Sequence, residues 1–310
     1  KENVILDIGC NDSVLFSFFK KKGFQTIGIE PAKKIAKESN HKNFFTYNSF
    51  FNRQVCKKLI KNFTKPMLIT SNNVFANVDD VKSWIENIKL ILDPKGYYVL
   101  ESFYLLDFLK NKVFDFIYHE HLSALSVSSI NYLCKIYNLK LVRVEHVNTK
   151  GGSMRYYIRH LNNEFKVHKS VNEFIKKEKE NKIFSKKKYY DYFREIYDEK
   201  KKLIRFFKAK GINKFDGFGA SITCVTLMYQ FKIEKLFSYL FDDNRFKHGM
   251  FSPGSHIEIV NPNKIKNSNN DTILILAWRF QKNIIQKHQN KLKKYKHIIQ
   301  VMPKFKILKL

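Results

Sequence analysis

The densest group of proton-transferring side chains lies in one short stretch near the middle of the chain. Tyr118, His119, Glu120 and His121 follow one another directly. Histidine is the usual general base near neutral pH, a neighbouring carboxylate can orient it, and a tyrosine hydroxyl can stabilise an enolate oxygen. Metal binding is one alternative, because His119 and His121 would share a face on a strand, but no third ligand is evident nearby and HExxH is absent. A purely structural use of the histidines is the other alternative.

A second set of polar residues follows two apolar runs at the start of the chain. Asp7, Gly9 and Asn11 lie at the end of the first run, and Glu30 ends the second. In an open α/β sheet a nucleoside binds at such strand ends. A small residue there lets the backbone approach the ligand, and an acidic side chain accepts hydrogen bonds from the ribose hydroxyls. The pyrophosphate pattern GxGxxG is absent. S-adenosylmethionine is the common ligand that fits this turn, and an ordinary strand–turn–helix with an incidental Glu30 is the alternative.

Two amides extend this candidate cofactor site. Asn72 and Asn73 follow the fourth apolar run, directly before a helix-like segment. There they could hold the amino-acid part of the cofactor or face its methyl group. Helix capping by Asn77 or Asp79 is the alternative, although it leaves the Asn72-Asn73 pair without a role.

These residues need a sheet that brings them to one edge, and the apolar pattern predicts it. Strand-like runs alternate with helix-like segments, which is typical of βαβ units and a parallel sheet covered on both faces. The predicted strands cover residues 4–8, 26–29, 44–47, 67–70, 97–100, 139–144 and 154–158. The predicted helices cover residues 13–22, 32–39, 53–62, 78–92 and 128–137. A glycine turn at 150–152 predicts that the last two strands pair antiparallel.

The remainder of the chain predicts a helical connector and a second, smaller α/β domain. Residues 164–210 are rich in Lys and Glu with apolar positions at helical spacing. We interpret them as one or two long helices with a solvated face, in preference to a lysine-rich binding arm. Strands are then predicted over 215–218, 236–241, 272–276 and 297–301, and helices over 221–231 and 281–287. The predicted domains are 1–162, 163–210 and 211–310.

Composition narrows the classes of protein that the chain can belong to. The chain has 310 residues and a formal net charge of +29, but only 8 of its 57 basic residues are Arg. Lys, Asn, Ile, Phe and Tyr share adenine- and thymine-rich codons, so compositional drift is favoured over a nucleic-acid surface. No membrane span or signal peptide is visible, and four scattered cysteines suit the cytoplasm. Because the first apolar run begins at Val4, we expect a further segment ahead of this sequence.

The order of these motifs resembles the nucleotide-sugar C-methyltransferase family across essentially the whole chain. The first half carries the resemblance at residues 7–12, 28–31, 72–76, 117–123 and 151–155. The second half carries it at residues 217–221, 242–244, 252–257 and 274–278. The implied fold is α/β, with a Rossmann-like class I methyltransferase sheet, a helical connector and a smaller α/β C-terminal domain.

The resemblance also implies a reaction. Such enzymes use S-adenosylmethionine to methylate a carbon beside a keto group of a deoxysugar linked to a nucleoside diphosphate. By motif position, Asp7, Gly9 and Glu30 would bind the cofactor, while Tyr118, Glu120 and His121 would form the catalytic cluster with His121 as the base. O- or N-methylation of a sugar, a sugar-nucleotide-binding protein without catalysis, and a nucleic-acid-binding protein are the alternatives.

Four departures from the family's pattern accompany the resemblance. The family's N-terminal zinc-binding segment of paired cysteines is absent from this sequence, and no metal site is expected. Asn77 and Lys150 each stand where the family usually has His, and Thr223 stands where it usually has Lys.

Overall fold

A seven-stranded sheet brings the ends of the early apolar runs to one edge. The computed structural model describes residues 3–42, 44–161 and 165–310. The chain divides into two units, of which the first is Lys1–Asp107 with Glu120–Ile183 and the second is Phe108–His119 with Phe184–Leu310. The predicted boundary between residues 162 and 163 lies outside the described residues.

The first unit has the strand order β3-β2-β1-β4-β5-β7-β6, parallel except for β7. Its strands are β1 Val4–Ile8, β2 Gln25–Ile29, β3 Phe45–Tyr47, β4 Leu68–Asn72, β5 Tyr97–Phe103, β6 Leu139–Val147 and β7 Ser153–His160. The order reverses between β1 and β4, which is the point where open α/β sheets bind ligands. Both the α/β alternation and the antiparallel last pair are confirmed.

In the part of the first unit that the structure describes, seven α-helices accompany this sheet, and each helix predicted there is present with its bounds exact or shifted by at most three residues. They are α1 Val14–Lys20, α2 Lys33–His41, α3 Arg53–Asn62, α4 Val81–Ile91, α5 Leu105–Lys110, α6 Val127–Ile136 and α7 Lys169–Glu180. Helix α5 was not predicted, and it contains the point at which the chain passes from the first unit to the second. All five residues of β1 are buried, as a strand covered on both faces requires.

A buried carboxylate fixes the start of α6. Glu178 on α7 is fully buried and accepts hydrogen bonds from the Val127 and Ser128 N–H groups at 2.6 and 2.9 Å, from the Ser128 hydroxyl and from the Tyr104 hydroxyl. The positive end of the α6 dipole favours a negative charge at this position. Helix α7 therefore has a buried structural role besides the exposed charge pairs expected from its sequence, such as Lys169 with Glu173.

The second unit has a six-stranded sheet with the order β10-β9-β8-β11-β12-β13, parallel except for β13. Its strands are β8 Phe215–Phe218, β9 Phe237–Phe241, β10 Ile259–Val260, β11 Thr272–Ile275, β12 His297–Gln300 and β13 Lys306–Leu308. Its helices are α8 Lys186–Lys210, α9 Ile222–Phe231 and α10 Gln281–Leu292. The apolar core contains Phe218, Phe241, Ile273 and Ile275. Among the described residues, no helix combines the length and apolar character that a membrane crossing needs.

Candidate functional site

The turn after β1 accepts only a residue without a side chain. Gly9 has a φ of +73°, and its N–H donates to the carbonyl oxygen of Ile29 at 2.8 Å. A Cβ added at Gly9 would lie 2.5 Å from Cγ2 of Val74, in the loop after β4. The turn is therefore pressed against both neighbouring strand ends, and glycine is needed for the backbone angle and for the space.

Glu30 links the loops that follow β1 and β2. Its side chain is buried, and its two carboxylate oxygens accept the N–H groups of Asn11 at 3.1 Å and Ala32 at 2.9 Å. A carboxylate oxygen can accept two hydrogen bonds, so each one retains capacity for a ligand hydroxyl. The residue that was predicted to bind ribose thus also holds the predicted Asn11 in its left-handed conformation, with a φ of 49°.

Asp7 lies inside β1, one residue before its end. It is buried, and the Thr70 hydroxyl on β4 donates to its Oδ1 at 2.6 Å. Burial raises the pKa of Asp7 to about 6, and the hydrogen bond from Thr70 opposes that increase. The carboxyl therefore changes its charge close to neutral pH, directly beside the switch point of the sheet.

The two asparagines lie at the end of β4 in different surroundings. Asn73 has a φ of +59°, and its N–H donates to the carbonyl oxygen of Glu101 at 2.7 Å. Asn72 is exposed and lines a cavity of about 870 Å³ together with Thr70, Glu101 and Arg155. That cavity is distinct from the one beside Gly9, so cofactor binding by Asn72 and Asn73 stays a prediction.

The cavity beside Gly9 has the size and walls of a nucleoside site. Its volume is about 840 Å³, within the range of roughly 300–1,000 Å³ that is common for small-molecule pockets. Apolar walls come from three residues inside the motifs at 28–31 and 72–76 and from two residues outside every predicted motif. These are Ile29, Pro31, Phe50, Phe51 and Val74, with Asn77 among the polar lining residues.

Two adjacent phenylalanines of that wall differ in how they are held. Phe51 packs against Trp84 with ring centroids 4.7 Å apart, whereas Phe50 is 75% exposed. Both follow the end of β3 in the printed sequence. Their position directly after a parallel strand is a usable signal in the sequence, although apolar side chains carry no polar chemistry that would mark a site.

His121 lies where the ends of β4 and β5 meet. The N–H groups of Leu122 and Ser123 both donate to the carbonyl oxygen of Ala76, at 2.8 and 3.0 Å, which ties this loop to the segment after β4. The ring centroids of His121 and Phe103 are 5.0 Å apart, and Phe103 is the last residue of β5. His121 is half-buried and Glu120 is exposed, both at the edge of the sheet that carries the Gly9 turn.

Tyr118 belongs to the second unit, whereas Glu120 and His121 belong to the first. The tyrosine is half-buried, and its N–H donates to the carbonyl oxygen of Phe116 at 3.1 Å. The joint action of these three residues therefore stays a prediction.

A half-buried ion pair lies near the end of β5, and its carboxylate is the more buried partner. Arg155 on β7 donates through Nε to Oε2 of Glu101 at 2.6 Å, and this hydrogen bond raises the pKa of Arg155. The Thr149 hydroxyl lies 3.4 Å from Oε1 of the same carboxylate. Antiparallel pairing places Glu101 directly opposite Arg155, a relation that only the register of β5 and β7 reveals.

In the second unit, too, an acidic side chain after one strand accepts a hydrogen bond from the turn after the neighbouring strand, as Glu30 does from Asn11. The N–H of Ala220, in the loop after β8, donates at 2.8 Å to Oδ2 of Asp242, which follows β9. Gly219 before it has a φ of +112°. Two motifs that carried the family resemblance thus meet at one strand edge.

Comparison with known proteins matches a family model to each half of the chain. Residues 1–144 match the family model of a methyltransferase domain. With the glycine turn, the acid after β2 and the adjacent cavity, this defines an S-adenosylmethionine-dependent methyltransferase. Residues 148–303 match the model of the C-methyltransferase C-terminal domain, and the chain belongs to this C-methyltransferase family.

The individual relatives are distant. C-methyltransferase NovU of Streptomyces niveus is 24% identical over 310 residues, covering 99% of this chain and 74% of NovU. Two solved structures match about half of the chain. A protein of Pyrococcus horikoshii OT3 has a TM-score of 0.42 and 11% identity, covering 52% of this chain and 82% of its own. Magnesium protoporphyrin IX methyltransferase of Synechocystis PCC 6803 has a TM-score of 0.40 and 12% identity, covering 51% and 74%.

Proposed function

We propose that this enzyme methylates a carbon beside the keto group of a deoxysugar that is linked to a nucleoside diphosphate. Membership in the C-methyltransferase family supports transfer to carbon, and the motif resemblance supports the sugar nucleotide. The observation that carries the proposal is the attachment of Leu122 and Ser123 to Ala76, because it holds His121 beside Phe103 at the sheet edge of the cofactor turn.

The residues around Gly9 fit the adenosine part of S-adenosylmethionine. Gly9 lets the backbone approach the ligand, the remaining lone pairs of Glu30 suit the ribose hydroxyls, and Phe50 can cover the base. Asp7, Asn11, Asn72 and Asn73 are proposed to bind the rest of the cofactor. When bound, S-adenosylmethionine supplies an electrophilic methyl group.

The chain's own residues supply the proton chemistry. A C–H bond beside a ketone is weakly acidic, so its cleavage needs a positioned base and a partner for the developing oxyanion. We assign the base to the neutral imidazole of His121, which takes the proton while the electron pair moves onto the keto oxygen. Tyr118 stabilises that enolate oxygen, and Glu120 orients the imidazole. The enolate carbon would then take the methyl group as the bond from that group to the sulfonium sulfur breaks, with the electron pair left on sulfur as a neutral thioether. His121 would return its proton to solvent.

The test is enzyme-dependent exchange of the substrate's α-hydrogen with D₂O, followed by NMR on a thymidine-diphosphate-linked keto-deoxysugar. His121→Ala is expected to abolish that exchange, because the α-proton then has no acceptor. His119→Ala is the matched control, since His119 is exposed and lies only two residues away, and it is expected to exchange at the wild-type rate. Wild-type exchange in His121→Ala would contradict the assignment.

A further inference from the structure

One buried carboxylate anchors residues 108–119 within the second unit. Asp115 is fully buried, and Nη1 of Arg279 lies 2.7 Å from its Oδ1 and 2.8 Å from its Oδ2. The indole N–H of Trp278 donates to Oδ2 at 3.1 Å. Three short polar contacts thus converge on a side chain that water does not reach.

Arg279 is itself held in one orientation. Its Nη2 donates to the Thr223 hydroxyl on α9 at 3.1 Å, and its guanidinium lies 4.5 Å from the ring centroid of Phe116. The arginine side chain is only 14% exposed. The planar guanidinium therefore has fixed partners around its edge and on its face, which gives it directional as well as electrostatic specificity.

Stability alone does not explain an ion pair at this position. Taking two charges out of water costs free energy, and well-packed apolar residues often hold a segment equally well. Consistent with that cost, burial raises the pKa of Asp115 although Arg279 opposes the increase. What the pair adds over apolar packing is a defined orientation of the backbone that carries Asp115.

That orientation is transmitted along a short turn to Tyr118. The N–H of Ile117 donates to the carbonyl oxygen of Phe114 at 2.9 Å, and the N–H of Tyr118 donates to that of Phe116 at 3.1 Å. The ring of Phe114 stacks on Phe231 of α9, with centroids 5.5 Å apart and planes 16° apart. The backbone between Asp115 and Tyr118 therefore has little freedom while Asp115 stays in place.

We propose that Asp115 and Arg279 are a positioning pair, which fixes the turn that carries Tyr118 for the reaction. The catalytic part of this inference rests on the proposed function, in which the Tyr118 hydroxyl meets the enolate oxygen. Neither member of the pair touches the reacting atoms, so both act through the turn that leads to Tyr118.

The first test measures the turn without any substrate. Hydrogen–deuterium exchange of the peptide covering residues 114–118 is followed by mass spectrometry in the full chain. Arg279→Met keeps much of the side-chain volume and removes the cation, so the amides of Phe116, Ile117 and Tyr118 are expected to exchange faster. Arg194→Met is the matched control, because it removes an exposed ion pair with Asp191 on α8 of the same unit. It is expected to leave that peptide unchanged.

Moving the positive charge from position 279 to position 223 distinguishes the effect of charge pairing with Asp115 from the effect of side-chain packing. The Thr223 hydroxyl is 3.1 Å from the guanidinium of Arg279, so a lysine at position 223 can approach Asp115 from the same side. The double variant Arg279→Met with Thr223→Lys is expected to regain protection of the 114–118 peptide. Should Arg279→Met fail to fold, Trp278→Phe removes a single donor to Asp115 and carries the same test. Unchanged exchange in the folded single variant, or no recovery in the double variant, would overturn the pair's role.

The second test measures catalysis. Arg279→Met is expected to lower kcat about 100-fold, the typical cost of a misplaced catalytic group, with KM little changed. Affinity for S-adenosylmethionine, measured by calorimetry, is expected to stay at the wild-type value, because Gly9 and Glu30 belong to the first unit. A normal kcat despite faster exchange would refute the positioning role. If the wild-type enzyme does not turn over the keto-sugar at all, the proposed function has failed, whereas the exchange experiment still decides whether the pair fixes the turn.

Discussion

Removing the charge of Asp7 should stabilise the first unit, and should do so only above acidic pH. Asp7→Asn keeps an oxygen that can accept the Thr70 hydroxyl, so the change in charge is the main perturbation. In the folded chain the pKa of Asp7 is raised to about 6 from an ordinary value of 3.8. A difference of about 2 pKa units corresponds to about 3 kcal/mol, since each unit is worth about 1.4 kcal/mol.

The direction of the pH dependence follows from proton binding. The folded state holds the Asp7 proton more tightly than the unfolded state does, so the wild-type free energy of unfolding falls as pH rises from about 4 to above 6. Asp7→Asn does not titrate. Its advantage over the wild type is therefore expected to be near zero at pH 3 and to approach about 3 kcal/mol at pH 8.

Tryptophan fluorescence during urea unfolding can measure this difference. The chain has two tryptophans, Trp84 and Trp278. Placing Trp278→Phe in both proteins leaves Trp84 to report on the first unit, and the effect of the background substitution cancels in the comparison. Asp12→Asn, an exposed neighbour, is the control and should differ from its background by less than about 0.5 kcal/mol at every pH. A constant difference for Asp7→Asn from pH 3 to pH 8 would refute the reasoning.

Three further predictions concern the same unit. Gly9→Ala should lower S-adenosylmethionine affinity by more than tenfold in calorimetry, because the new Cβ meets Val74; equal affinity would show that the turn can yield. Glu30→Ala should weaken S-adenosylmethionine affinity by about 1–3 kcal/mol, because buried polar groups would lose their partner. The control Glu38→Ala, at an exposed position, should leave that affinity unchanged. Similar effects of both substitutions would make Glu30 merely structural. Glu178→Gln should lower the free energy of unfolding by about 3 kcal/mol in urea titrations, because its amide N–H group would face the N–H and the hydroxyl of Ser128, which are both donors. A loss below about 0.5 kcal/mol would contradict the capping role.

The secondary structure was predictable because its signals are local. The strand at 4–8 and the helix at 53–62 were predicted with the bounds that the structure shows. A strand covered on both faces is a continuous apolar run, and an amphipathic helix repeats every three to four residues. The short strands Ile259–Val260 and Lys306–Leu308 were missed, because two or three residues carry no measurable period.

The candidate site was predictable only in part, for a related reason. Gly9 and Glu30 could be placed because parallel strands end at a common edge, which follows from topology alone. The partner of Asp115 could not be predicted, since Arg279 lies 164 residues away and no local pattern joins them. The same limit applies to Glu178, whose burial at the start of α6 contradicts the expectation for a charged residue in a lysine-rich helix.

The course of the chain has a consequence for synthesis on the ribosome. The residues that line the cavity beside Gly9 all lie between positions 8 and 87, so they emerge early. The turn at 114–116 contacts helix α9, Trp278 and Arg279. These later residues leave the ribosome after that turn. A nascent chain can therefore assemble the cavity beside Gly9 well before the turn at 114–116 meets these later residues. Any truncation before residue 279 would remove Arg279, the cation that pairs with the Asp115 carboxylate.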